Sequence, residues 1–211
     1  IFNRVMVETL KRWIKTAEEK LKGMDVKCFI SPGNDDFYVI DEILRSSDVV
    51  KCPDRDVVWI DDKHEMLSLG VSNPTPWNCP RDLPEEEIEK LIEQLAGKVE
   101  NMENCIFNIH VPPYNSNIDL APVLDKEGRP VLQPGGGFQT APVGSVAVRK
   151  AIEKYQPLLG LHGHIHEARG FCKIGRTLCL NPGSEYLEGV LRGVLIEIDD
   201  KKVKDFLFTS G

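Results

Sequence analysis

The sequence has no Cys-x-x-Cys pair. Its six cysteines (Cys28, Cys52, Cys79, Cys105, Cys172, Cys179) are scattered, several of them in apolar runs such as KCFI and TLCLN. That spacing argues against a zinc ribbon or a disulfide framework and leads us to expect buried free thiols in a reducing compartment. A signal peptide and an apolar run long enough to span a bilayer are also missing, so the expected location is the cytoplasm and no membrane partner is expected. No block of Lys and Arg occurs, and 26 basic against 33 acidic residues leave a formal charge of −7. Such a balance argues against nucleic acid as the main partner. It does not exclude a phosphate substrate, because a bound metal can supply positive charge locally. Finally, there is no initiating Met: the chain opens Ile1-Phe2-Asn3 and runs at once into an amphipathic pattern. We therefore expect an upstream part to be missing from an otherwise single domain over residues 1–211, with no internal repeat and no low-complexity tract.

What is present is an alternation of helical and strand-like segments. Apolar residues at helical spacing predict a helix from Phe2 to Leu21, with Phe2, Val5, Met6, Leu10, Trp13, Ile14, Ala17 and Leu21 on one face and Gly23 as its stop. Strands are expected at Val26–Ile30, Val57–Ile60, Met66–Val71, Cys105–Ile109 and Leu158–His162. Further helices are expected at Phe37–Arg45, from Pro84 to about Val99, and from the Ser145 cap to about Tyr155. Gly170–Leu180, Leu191–Ile198 and Lys204–Thr209 close the chain as β-rich segments. The link Asp61-Asp62-Lys63-His64 reads as polar and exposed. The stretch from Tyr114 to Val143 reads as a long irregular loop, either shaping a pocket or disordered. The pattern as a whole predicts a layered α/β fold.

Three of the five histidines crowd into LHGHIHE, at His162, His164 and His166. His164 and His166, like His110 and Asn34, fall just past the C-terminal ends of apolar strands, the edge where open α/β sheets bind ligands. Imidazoles together with an Asn carbonyl suit a borderline divalent metal. Taken singly each has a plainer reading: Gly33-Asn34-Asp35-Asp36 is a good turn, His110 alone is a structural histidine, and His162 is structural or supports the site from behind. It is the ordered set that points to a site.

That set, GNDD, then NIHVPP, then GHIH, resembles the calcineurin-like metallophosphoesterase superfamily in its prokaryotic form. The superfamily's motifs run D-x-H, G-D-x-x-D, G-N-H-D/E, an isolated His, and G-H-x-H. The last three match Gly33–Asp36, His110 and Gly163–His166, and Asn181-Pro182-Gly183-Ser184-Glu185-Tyr186 resembles the strand and turn that follow them. The resemblance runs from Cys28 to about Ile196. It implies an α-β-β-α sandwich with mixed sheets and a metal site at the C-terminal strand edge. It also implies Asn34, His110 and His164 as ligands of one ion and His166 as a ligand of another. The cofactors would be two divalent ions (Mn, Fe, Zn or Ni) in the complete protein and fewer in this chain.

The first two motifs are absent, and Asp35 stands where the superfamily places a histidine near the leaving group. The function implied is metal-dependent hydrolysis of a small phosphomonoester or phosphodiester by a hydroxide bridging two ions, with Asp35 as the catalytic position. The missing motifs and Asp35 leave an alternative open: a degenerate phosphoesterase-like scaffold that binds protein partners.

Overall fold

The computed structural model describes residues 2–211; Ile1, the first residue of the expected domain, lies outside the described residues. Its centre is a six-stranded mixed sheet in the order β3-β4-β5-β8-β10-β9. Here β3 is Asp56–Trp59, β4 Glu65–Leu69, β5 Ile106–Ile109, β8 Leu159–Leu161, β9 Gly170–Ile174 and β10 Thr177–Asn181. The four middle strands run parallel, while β3 and β9 close the two edges antiparallel. Parallel neighbours need crossovers, and the chain supplies helices α3 (Glu85–Ala96) and α4 (Val146–Tyr155) between them.

Alternation along the strands sends Leu67, Leu69, Phe107, Ile109 and Cys179 to one face, where they pack with Ile88, Ile92 and Leu95 of α3 and Val148 and Ile152 of α4. The two helices are tied at their starts. The Glu85 carboxylate accepts from Ser145 Oγ (2.7 Å), Val146 N (3.0 Å) and Ala147 N (2.8 Å), placing negative charge on the N-terminus of α4. The opposite face, with Met66, Ile106, Leu159, Leu178 and Leu180, is covered by the hairpin of β11 (Arg192–Asp199) and β12 (Lys202–Ser210) and by Phe29. Phe29 belongs to β1 (Cys28–Phe29), which pairs in parallel with β2 (Val50–Lys51). Helices α1 (Phe2–Leu21) and α2 (Val39–Arg45) add an outer layer through Leu10, Ile14, Ile40 and Leu44, with Ile30 and Cys52 packed on them. The result is an α/β fold of mixed parallel and antiparallel sheets with helices on the outside.

Several expectations are corrected. The apolar face of α1 is narrower than its sequence pattern, for Trp13 and Val5 are exposed. All five expected strands are present: β1 and β8 are shorter at both ends, β5 starts one residue late, β3 is shifted one residue toward the N-terminus, and β4 begins at Glu65 and ends at Leu69. The segment 114–143 is not irregular throughout. It contains the hairpin pair β6 (Leu120–Pro122) and β7 (Thr140–Pro142), and Asp119 binds its base by accepting from Asn115 N, Ser116 N and Gly144 N. His64 is buried, not exposed: Asp61 closes the turn on its backbone N–H (2.7 Å) and on its ring Nδ1 (2.8 Å). All six cysteines are free thiols; Cys105 and Cys179 are buried and the other four are half-buried. Among the described residues no helix is long and apolar enough to cross a membrane.

Candidate metal centre

Because β4, β5 and β8 are adjacent and parallel, the residues just beyond their C-terminal ends share one edge. His110 N donates to Leu69 O and Gly163 N donates to His110 O, each at 2.9 Å, so the ladder continues one step past the strands. That step sets the rings of His110 and His164 5.2 Å apart, edge to face. Ser72, just beyond β4, puts its Oγ 3.0 Å from His164 Nε2.

Asn34 arrives from the other layer, after β1. Its loop comes close because Gly70 offers no side chain: a Cβ there would stand 2.4 Å from Pro32 O. Arg81 anchors the loop from beneath. Its backbone N–H donates to Asn34 O (3.0 Å), its buried guanidinium donates to Asp36 O (2.8 Å), and it pairs with Asp41 and Asp54. With the loop so held, Asn34 Oδ1 lies 3.2 Å from His110 Nε2 and 3.0 Å from His164 Nδ1.

The electrostatics of this trio are those of neutral imidazoles. Burial, then the neighbouring histidines, lower His110 to about 3. Burial likewise lowers His164 to about 4, against the opposing charge of Asp82. Their ring nitrogens therefore keep lone pairs available through the physiological range. The backbone of His164 sits at φ 63°, a left-handed conformation that costs a non-glycine residue about 1–2 kcal/mol. Strain of this kind is found where a side chain must be aimed.

One oxygen and two nitrogens thus converge. Donors bound to one ion at about 2.1 Å stand roughly 3–3.4 Å from each other, which the 3.0 and 3.2 Å separations match. In donor chemistry, and in the two separations from Asn34 Oδ1, the trio suits a borderline divalent ion, and the same two separations suit hydrogen bonds. Among the described residues, however, no group of three or more His, Cys, Asp or Glu side chains could hold a metal ion.

Of the other expected site residues, His166 is exposed and stacks edge to face on Tyr186, centroids 5.5 Å apart, against an open cavity of about 320 Å³. Asp35 is exposed, with its carboxylate against the Cys79 thiol. His162 is buried, with Nδ1 2.8 Å from Ile109 O and Nε2 without a partner. Sequence reasoning missed Ser72, Arg81 and Asp82. The one signal available for them was a proline-rich stretch containing an Arg-Asp pair.

No family model matches the chain. The uncharacterized protein MJ1162 of Methanocaldococcus jannaschii is 36% identical to it over 162 residues, 75% of this chain; the chain spans 64% of that relative's length. One crystal structure superposes with a TM-score of 0.62 at 16% identity, over 99% of this chain and 72% of its own. The crystal structure of TT1561 of Thermus thermophilus does so with a TM-score of 0.56 at 16% identity, over 97% and 79%. At this level of identity the two structures share the fold with this chain, and nothing finer.

Proposed function

We propose that the chain is a phosphoesterase-like scaffold with one three-donor position for a divalent ion of the Mn, Fe, Zn or Ni class, at Asn34, His110 and His164. On this reading its described residues do not by themselves make a working dimetal hydrolase. The observation that carries the reading is the single oxygen, Asn34 Oδ1, faced by two neutral imidazoles at 3.0 and 3.2 Å. The restriction to one ion is supported by the absence, among the described residues, of a wider cluster of His, Cys, Asp or Glu, and by His166 turning toward Tyr186. A divalent ion held there would supply Lewis acidity toward a phosphate oxygen. Ser72 and Arg81 keep the imidazole and the Asn34 loop in place. A partner-binding role is supported by Leu187, Leu191, Leu195 and Leu207, which are exposed on or beside the outer hairpin.

A second reading is hydrolysis of a small phosphomonoester or phosphodiester by two ions, with His166 ligating the second and Asp35 beside the leaving group. The open cavity against His166 favours it, since it leaves that imidazole accessible to a ligand; its charged lining is Arg169 and Arg192, the latter paired with Glu185, beside Glu167 and Glu188. Bis(p-nitrophenyl) phosphate with added Mn2+ separates the two. The scaffold reading expects metal binding without metal-dependent turnover. Turnover that disappears with His110→Ala would replace it with the hydrolase.

A further inference from the structure

A primary amide has two ends, and at the head of this site only one of them is useful. With Oδ1 toward His110 and His164, Asn34 offers a lone pair to a cation; with Nδ2 there, it offers two protons. The imidazoles do not decide between these, because a neutral ring nitrogen donates or accepts according to its tautomer. The deciding contact lies on the far side of the amide. Asn34 Nδ2 donates to Asp82 Oδ1 at 2.9 Å, and an ionised carboxylate can only accept.

Asp82 is itself held. Its Oδ2 accepts from Thr75 Oγ1 (2.6 Å), Thr75 N (2.9 Å) and Cys79 N (2.9 Å), which leaves Oδ1 for Asn34. Burial works against the charge, but the bonds from Thr75, Asn34 and the Cys79 backbone outweigh it and hold the carboxyl below its ordinary range. The same loop also delivers Arg81 N to Asn34 O and Ser72 Oγ to His164.

We infer that Asp82 is the positioning residue that fixes the amide of Asn34, turning Oδ1 toward His110 and His164. The inference rests on the proposed ion position, and its test keeps the two separate. In Asp82→Asn the three donors of Thr75 and Cys79 retain the oxygen, so the new NH2 faces Asn34 and turns its amide over. Isothermal titration of the chain with Mn2+ alone should then show affinity about 10–100-fold weaker than wild type, as when other partners that orient a metal ligand are removed. Adding Asn34→Asp to Asp82→Asn reverses the donor and acceptor. A carboxylate oxygen again faces the imidazoles, and affinity returns at least to the wild-type level. A merely structural role for Asp82 would make Asn34→Asp raise affinity by the same factor in wild type and in Asp82→Asn; the positioning role requires the larger gain in Asp82→Asn, where the amide has been turned over.

Unchanged affinity in Asp82→Asn, or no recovery in the double variant, would overturn the inference. If the wild-type chain binds no Mn2+, the proposed ion position fails, and nuclear Overhauser contacts in the metal-free, 15N-labelled chain decide the inference alone. The Asn34 Hδ2 protons should lie near Thr75 in wild type and near the imidazole ring protons in Asp82→Asn. Wild-type amide protons already facing the rings would refute it.

Discussion

The ring of His110 stands directly against the backbone of Gly33: a Cβ at Gly33 would lie 2.9 Å from both Cε1 and Nε2 of that ring. Neither partner has room to yield, for His110 is held by the strand ladder and the Asn34 loop by Arg81. Gly33→Ala should therefore cost about 1–3 kcal/mol by overpacking and displace a donor of the ion position at the same time. Chemical denaturation together with Mn2+ titration checks both. Loss of stability without loss of metal binding would separate Gly33 from the site.

Three imidazoles make the fold sensitive to acid. His110 is lowered to about 3, and His162 and His164 to about 4, burial being the leading cause in each. Unfolded, each takes up a proton near pH ~6.5, so the unfolded chain binds more protons between there and the folded values. Stability should be level above neutrality and fall as the pH drops through that window. For His162 alone the loss should reach about 3 kcal/mol near pH ~4. Thermal unfolding from pH 8 downward should show this, and His162→Asn, whose amide can still donate to Ile109 O, should flatten the slope. An identical slope in that variant would contradict the assignment.

Arg81 carries an unusual share of the fold, since its guanidinium is buried among Asp41, Asp54 and the carbonyl of Asp36. Removing one partner of a buried pair strands the others. Arg81→Met should destabilise the chain by about 3–5 kcal/mol, more than a large surface truncation would. Equilibrium unfolding in urea measures it, and a loss under about 1 kcal/mol would mean the carboxylates find other partners.

How far the sequence discloses the site follows from the range of each interaction. Asn34, His110 and His164 were legible because each sits at the end of an apolar run, and strand ends are a local pattern. Their convergence depends on the adjacency of β5 and β8 and on the packing of β1 across the layers, which no local pattern encodes. Asp82 escaped because its partner Asn34 is 48 residues away. Arg81 escaped because a fully buried cation in a proline-rich stretch looks like any loop residue. His64 was misjudged because the turn that buries it is made by Asp61, a residue that reads equally well as solvated. The hairpin of β6 and β7 was hidden because each strand is three residues long and ends in a proline, and the segment joining them is rich in glycine.

Asp35 should be nearly silent in stability, because its side chain is exposed and outside the trio. Asp35→His is expected to change unfolding free energy by no more than about 0.5 kcal/mol. If the dimetal reading holds, the same variant should raise alkyl phosphodiester hydrolysis more than aryl hydrolysis, because only the alkyl leaving group needs a proton, a contribution of about 10²–10⁴-fold. Equal effects on the two kcat/KM values would show that Asp35 has no part at the leaving group.

The most direct measurement is the number of ions the chain holds, by equilibrium dialysis against Mn2+ followed by elemental analysis of wild type and three single variants. One ion per chain is expected, lost in His110→Ala and in His164→Ala and retained in His166→Ala, whose ring packs on Tyr186. No bound ion, two bound ions, or an ion lost with His166→Ala would contradict a centre built on Asn34, His110 and His164.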